Sequence, residues 1–349
     1  MWAMIVKEFR QVRRDHRTLA MMIVMPVLLL VVFGYAASFD VSEIETVVYG
    51  PGAEQATEML PDIFNVEETD VEAGVEEAEG RLRRGESVVA LIADPGAPLV
   101  LIDGSQLFAA RSATQAVAMA GASIPGLETE ILFNPELETS AVLVPGLAGL
   151  ILLFVGTVIT SLGVVKERQA GTLEQLAVMP LRPADVFIGK IAPYFLVAAV
   201  DLVVVLVVGT FLFDVPFNGS VWIMALGSLL FLFVTLGLGV LISSVSQNQG
   251  QSIQLALMTL LPQVLLSGLI FPLASMAAGV RWIGYLLPLT YFNLVAQGVM
   301  LRGAHFTELL FPLGLLFALG VVIFGLAVLR FRSDLAAATP DTEPAGVAA

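Results

Sequence analysis

The apolar residues of the chain are gathered in six long runs. The first covers residues 19–38, and the others cover 141–165, 186–212, 221–244, 251–272 and 308–330. About 20 apolar residues form a helix about 30 Å long, which matches the hydrocarbon thickness of a bilayer. The pattern therefore predicts an α-helical polytopic membrane protein with six transmembrane helices.

The segment before the first run, residues 1–18, is amphipathic. Apolar side chains line one helical face, and the opposite face carries Lys7, Arg10, Arg14 and Arg17. Such a helix lies in the membrane interface, and its basic residues place the N-terminus in the cytoplasm. A cleaved signal peptide is the rival interpretation, suggested by Ala36-Ala37-Ser38, but the apolar run is too long for one. We therefore expect a cytoplasmic interfacial helix followed by the first crossing at 19–38.

Residues 39–139 have a different pattern. Apolar runs of strand length, TVVYG, SVVALIAD and PLVLID, alternate with helical stretches at 53–60, 71–84 and 108–120, and the first two of these stretches have acidic faces. This alternation predicts a small α+β domain. Because one crossing precedes it, we expect an inserted extracytoplasmic α+β domain.

Residues 140–334 form the predicted membrane domain, with the second to sixth crossings. Six crossings return the chain to the cytoplasm, and 11 of the 17 Lys and Arg residues fall on that side. This bias agrees with the rule that cytoplasmic segments are enriched in basic residues. Both termini are therefore expected in the cytoplasm, and the Ala-, Pro- and Thr-rich residues 335–349 are predicted to be a disordered tail.

Composition excludes a water-soluble protein, since 57% of the residues are hydrophobic, 14% are charged and the mean hydropathy is +0.87. The net charge of −14 belongs to one segment, because residues 39–139 hold 20 acids and 4 arginines, or −16. We interpret these acids as a solvated surface. The chain has no cysteine, which excludes disulfides and thiolate metal sites, and His16 and His305 are isolated. No metal site or bound cofactor is predicted.

The sequence also lacks the motifs of the common nucleotide-binding and hydrolytic sites. No GxxxxGK[ST] phosphate loop, HExxH or GxSxG occurs. A protein that pumps would therefore take its energy from another chain, and this one is not expected to be an enzyme.

A polar interruption, KERQAGTLEQLAVMPLRPADVFIGKIAPY, separates the second and third crossings at 166–194. Thr172 and Gln175 have the spacing of a capping box, and Pro180 ends the short helix that they start. An apolar stripe runs along that helix at Leu173, Leu176, Ala177 and Pro180. The spacing alone fits a surface helix in a loop as well as a helix that docks on a partner.

Two features of the apolar part carry polar residues. Residues 273–305 are broken by Arg281, Pro288, Arg302 and Gly303, which predicts a re-entrant segment at the outer leaflet. Asp201 lies about 16 Å along the helix from Lys190, near the middle of the bilayer, and Gln263 is centrally placed in the fifth crossing. An intramembrane carboxylate is a functional candidate, with pairing to a neighbouring polar side chain as the alternative.

Several spaced motifs together resemble ABC-2 type transporter permeases, in particular a drug-exporter-like branch with a large outer domain. They are GTLEQL followed by Met-Pro-Leu, Gly-Lys and Pro-Tyr; Asp103-Gly104-Ser105; Phe133-Asn134-Pro135; and LSGLIFP followed by Pro-Leu-Thr-Tyr and Leu-Arg-Gly. The resemblance implies that residues 171–180 are a coupling helix that docks on a separate ATP-binding cassette ATPase. It assigns motor coupling to Gly171, Thr172, Leu173, Glu174 and Leu176.

The resemblance further implies a pore made by a homodimer or by a pair of similar permeases in the inner or plasma membrane of a prokaryote. ATP and Mg²⁺ would be bound by the partner subunit, and no nucleic-acid partner is expected. The expected function is ATP-driven export of a hydrophobic or amphipathic compound, such as a drug or lipid-like molecule. Two alternatives stay open: a sodium exporter of the same family, and a non-transporting scaffold or sensor with an outer partner-binding domain.

Overall fold

The computed structural model describes residues 43–121, 126–170 and 183–337. The predicted interfacial helix at 1–18, the first crossing at 19–38 and the coupling helix at 171–180 lie outside these residues. The predictions made for them stay predictions.

The first described part is a five-stranded sheet with the strand order β2-β1-β3-β4-β5. Its strands are β1 Ile44–Tyr49, β2 Phe64–Asp70, β3 Val89–Ile92, β4 Leu99–Asp103 and β5 Glu128–Leu132. β1 pairs in parallel with β2 and β3, β4 is antiparallel to β3, and β5 is parallel to β4. β2 and β5 form the two edges. We refer to residues 44–132 as the sheet domain.

Helices cover both faces of this sheet. They are α1 Ala53–Met59, α2 Val75–Arg84 and α3 Leu107–Gly121. Alternate residues of the strands point to opposite faces, so that Val48 and Ile102 pack with α1 and α3, whereas Val47 and Leu101 pack with α2. Each face therefore has its own apolar core.

The remaining described helices contain the long apolar runs. They are α4 Thr139–Phe154, continued by a π-helical turn at Val155–Ile159 and by α5 Thr160–Gln169; α6 Pro183–Leu212; α7 Val221–Val245; α8 Gln249–Leu266; α9 Ala278–Gly284; α10 Pro288–Met300; and α11 Leu310–Ala337. Four stretches of the described residues are long and apolar enough to cross a membrane: Thr139–Gln169, Ala192–Leu212, Val221–Val245 and Leu310–Arg330. The protein is thus mostly helical and has the character of a polytopic membrane protein.

Two predicted boundaries are wrong. The fifth crossing, predicted at 251–272, is a helix that already ends at Leu266, because Gly268 has a left-handed backbone (φ 83°) that a helix does not continue. The tail was predicted to begin at 335, but α11 continues to Ala337 through two alanines, which favour helix. Residues 338–349 lie outside the described part.

The π turn allows a very close approach between α7 and the α4–α5 rod. A Cβ atom on Gly239 would lie 2.9 Å from the carbonyl oxygens of Gly156 and Thr157, and one on Gly156 would clash with Thr235. The Thr157 hydroxyl donates to the Thr235 carbonyl at 3.3 Å. Small residues therefore bring the two backbones into direct contact, and the helices pack as one body.

The sheet domain is packed directly onto the helices. Leu107 at the start of α3 is buried in the same apolar cluster as Ala141 and Val142 of α4. Asn134 donates to the carbonyls of Gly104 and Glu138, at 3.2 and 3.1 Å, and accepts from the Glu138 N–H at 3.0 Å. This side chain ties the loop after β4 to the start of α4.

Candidate functional site

The described chain stops at Ala170, immediately before the segment with the five predicted coupling residues. At this point Arg168 of α5 is half-buried and turns toward the end of α7. Its Nη1 donates to the Ser243 carbonyl at 2.8 Å and to the Ser246 carbonyl at 3.2 Å. The last carbonyls of a helix lack partners within it and carry partial negative charge, so a guanidinium there is stabilising.

A second contact joins α5 to the start of α8. Gln249 Nε2 donates to Gln169 Oε1 at 3.0 Å. Beneath it, Val158 of the π turn, Ile242 of α7 and Ala256 of α8 form a small buried apolar cluster. We call this meeting of the three helices the α5–α7–α8 junction, formed by Arg168, Gln169, Ser243, Ser246 and Gln249.

The turn between α7 and α8 is closed by hydrogen bonds from both sides. The Ser246 hydroxyl donates to the Ile242 carbonyl at 2.6 Å, and Asn248 caps α8 by accepting from the Gln251 N–H at 2.9 Å. Gln251 Oε1 in turn accepts from the Gln247 N–H at 2.6 Å. Because its polar groups are held in place, the turn is a stiff connection between two helices.

An open cleft of about 630 Å³ lies at this end of the helices and is lined in part by Arg168, Gln251 and Arg330. It has basic side chains but no arrangement of acids that suits a metal. Within residues 43–121, 126–170 and 183–337, no group of three His, Asp or Glu side chains could hold a metal ion.

The structure places the two predicted intramembrane polar residues in different surroundings. Asp201 is partly exposed on α6, which packs against α4, the π turn and α7. Gln263 is 1% exposed on α8, and its Oε1 atom has no hydrogen-bond partner. No hydrogen bond joins the two side chains, so they do not form one site.

Gln263 instead has polar neighbours on its own side of α8. Ser267 lies one helical turn further on and accepts a long hydrogen bond of 3.5 Å from Asn293 Nδ2 of α10. The Oδ1 atom of Asn293 is buried without a partner, as is Gln263 Oε1. These three residues form a buried polar seam between α8 and α10, and Asn293 was missed in the sequence because a single amide in an apolar helix carries little signal.

A buried ion pair joins the sheet domain to the corner after α10. Arg302 Nη1 lies 3.6 Å from Asp103 Oδ2, and the two side chains are 1% and 0% exposed. Arg302 Nη2 also donates to the Leu294 carbonyl at 3.3 Å, and Asp103 Oδ1 accepts from the Ser105 N–H at 2.9 Å. Burial raises the pKa of the Asp103 carboxyl, and Arg302 opposes that rise.

A second arginine of the region between α8 and α11 also approaches an acid of the sheet domain. Burial and the nearby Glu67 raise the pKa of Glu45 in β1, while Arg281 of α9 lowers it. Arg281 and Arg302 are the two basic residues that sequence analysis placed outside the acidic segment on the outer side. Each is a single basic residue in a largely apolar stretch, and this was the signal that could have suggested acidic partners.

Comparison with protein families decides the assignment that these features leave open. A family model described as "ABC-2 family transporter protein" matches residues 16–329. The chain belongs to the ABC-2 transporter family. The resemblance read from the spaced motifs is therefore confirmed.

Several curated relatives of this ABC-2 protein are described as permeases. It is 29% identical over 367 aligned positions to "Probable multidrug ABC transporter permease YbhS" of Escherichia coli, covering 95% of this chain and 97% of that protein. It is 25% identical to "Probable multidrug ABC transporter permease YbhR" of Escherichia coli, with 87% and 90% covered. It is 36% identical over 214 residues to "Inner membrane transport permease YhhJ" of Escherichia coli, with 60% and 56% covered. No solved structure matches the chain.

Proposed function

We propose that this ABC-2 protein is the membrane subunit of an ATP-driven exporter and moves hydrophobic or amphipathic compounds outward. A separate ATPase binds ATP and Mg²⁺ and docks on the coupling helix at 171–180. The family match over residues 16–329 carries this proposal, together with the multidrug permeases among the relatives. The chain itself makes or breaks no bond.

The position of the coupling segment supports the docking step. Lys166 and Arg168 close the α4–α5 rod immediately before that segment, and Arg330 lines the same cleft as Arg168. A basic end of a helix bundle is favoured on the cytoplasmic side of a membrane. This bias supports a cytoplasmic position for the segment that starts at Gly171, on the side that supplies ATP.

The surface of α4 and α8 supports an apolar cargo. These neighbouring helices leave large apolar side chains exposed at Leu147, Ile151, Phe154, Ile253 and Leu257. A face of this kind, shared with a second permease chain, makes an apolar path that suits hydrophobic compounds. Two such chains, identical or similar, complete the pore.

The docking step is tested by co-purification in mild detergent. The full-length protein is expected to retain a Walker-motif ATPase, and Glu174→Arg combined with Leu176→Ala is expected to release it. Glu136→Arg is the matched control, because Glu136 is an exposed acid of the loop between β5 and α4. Recovery of the permease without any ATPase, even after crosslinking, would instead favour a non-transporting scaffold or sensor.

Direction and cargo are tested in proteoliposomes that contain the assembled complex. ATP added on the side of the coupling segment is expected to drive a fluorescent hydrophobic cation across the membrane, away from that side. ATP-dependent movement of sodium without movement of the dye would instead favour the cation exporter. If neither the dye nor sodium moved while the ATPase was bound and active, that result would contradict a transporter.

A further inference from the structure

The contacts of Arg168 form a route from the coupling segment to the interior helices. Arg168 lies three positions before Gly171, on the last turn of α5. Arg168 donates hydrogen bonds to the Ser243 carbonyl in α7 and to the Ser246 carbonyl just beyond the end of α7. Since hydrogen bonds made by a charged donor are the stronger kind, displacement of this turn is resisted by the end of α7.

The helices that receive this contact have little freedom to absorb a displacement. The backbones of α7 and the π turn touch at Gly156 and Gly239, where a methyl group would not fit. The α7–α8 turn is closed by Asn248 and Gln251, and Gln249 binds Gln169. Close-packed interiors transmit displacement, and the contact between the π turn and α7 is packed in this way.

We infer that Arg168 is the positioning residue that makes the end of α5, α7 and α8 move as one unit when the ATPase moves the coupling segment. This inference rests on the proposed function, because it needs an ATPase that acts at 171–180. α8 carries Gln263, and Ser267, the residue immediately after α8, contacts Asn293 of α10. Movement of the α5–α7–α8 junction therefore reaches the seam between α8 and α10 through one continuous helix.

The test compares Arg168→Gln with Lys166→Gln in the reconstituted complex. Both variants lose one positive charge at this end of α5, but Lys166 is exposed and its side chain makes no hydrogen bond or ion pair with any residue that the structure describes. Arg168→Gln is expected to retain the ATPase and its ATP hydrolysis, while dye transported per ATP falls about tenfold, within the usual range of coupling between sites. Lys166→Gln is expected to behave like the unchanged protein.

Each outcome of this comparison has one meaning. Unchanged transport per ATP in Arg168→Gln, or an equal loss in Lys166→Gln, overturns the role of Arg168 and leaves the proposed function in place. Failure of the unchanged protein to bind any ATPase overturns the proposed function and the inference with it. Loss of transport with ATP hydrolysis intact supports both.

A second experiment remains decisive if Arg168→Gln does not fold. The chain has no cysteine, so Gln169→Cys and Gln249→Cys can be crosslinked with a short bifunctional thiol reagent before the ATPase is added. Because the junction is inferred to move as a unit, the crosslinked protein is expected to transport as well as the same variant without reagent. Arrest of transport by the crosslink would show that α5 and α8 must separate, and would overturn the inference.

Discussion

Replacement of Arg302 by methionine gives a direct measure of how firmly the sheet domain is held. Methionine is of similar length and apolar, so it keeps much of the packing while it removes the charge. It would leave the Asp103 carboxylate fully buried, with one oxygen bound to the Ser105 N–H and the other without a hydrogen bond. A buried charge without a counter-charge is costly.

The geometry of the ion pair indicates how much unfolding free energy the Arg302→Met variant should lose. Removal of one partner of a buried ion pair costs about 3–5 kcal/mol. The separation of 3.6 Å between Arg302 Nη1 and Asp103 Oδ2 is longer than a good charge-assisted hydrogen bond, which favours the lower end, about 3 kcal/mol. Asp103→Asn keeps the acceptor for the Ser105 N–H but leaves Arg302 as the unpaired charge. Since the double variant has neither charge, it should be more stable than either single variant.

The assay is pulse proteolysis of the full-length protein in detergent micelles across a urea series. The pH dependence gives an independent check. Burial raises the pKa of Asp103 in the folded protein, and loss of Arg302 removes the influence that lowers this pKa. Below the ordinary pKa of an aspartate, the Asp103 carboxyl is neutral in both the folded and the unfolded protein. The Arg302→Met variant then loses the least stability relative to the unchanged protein. The loss of stability caused by Arg302→Met then grows as pH rises through the pKa that Asp103 has in the folded, unchanged protein.

Three results would refute this reasoning. The first is a loss below about 1 kcal/mol for Arg302→Met at neutral pH, the level of an exposed pair. The second is a double variant whose loss equals the sum of the two single losses. The third is a loss that does not change with pH. Any of these would mean that Asp103 and Arg302 do not interact as a buried ion pair.

Two further predictions concern single positions. Gly85→Ala should destabilise the sheet domain by about 1–2 kcal/mol in the same urea assay, because Gly85 has a φ of 71° and a Cβ atom would clash with the Arg302 guanidinium. Gly74→Ala is the control, since open space surrounds that position, and an equal loss in both would contradict the prediction. Asp201→Asn should leave folding intact or improve it, because a costly intramembrane charge is removed, while ATP-driven transport falls several-fold. Unchanged transport with the fold retained would make Asp201 a structural residue.

The sequence predicted the interior of the sheet domain better than its edges. β1, β3 and β4 were found because their apolar runs fill both cores of the sheet domain. β2 and β5 were missed because FNVEETD and ETEIL are rich in acids, and an edge strand with exposed side chains does not show the apolar run of a buried strand. A run of apolar residues therefore indicates that a strand is buried, and it does not detect strands whose side chains are exposed.

Features that depend on contacts distant in sequence were beyond prediction. Arg302 and Asp103 come from opposite halves of the chain, and only the folded packing brings them together. The π turn at Val155–Ile159 leaves no mark in an apolar helix, although Gly156 and Gly239 allow the contact that it makes. By contrast, long apolar helices and the polar segment between them could be read directly, since length and charge alone define them.

The edges of the sheet have a consequence for how these proteins coexist in a crowded membrane. Unpaired strand edges are templates on which another chain can add a strand, and such addition leads to aggregation. Both edges of this sheet carry several carboxylates, Glu67, Glu68 and Asp70 on β2 and Glu128 and Glu130 on β5. When two copies collide, like charges meet along the edges and oppose growth of a shared sheet. We therefore expect the acidity of these edges to oppose association of neighbouring molecules, and higher salt to weaken that effect.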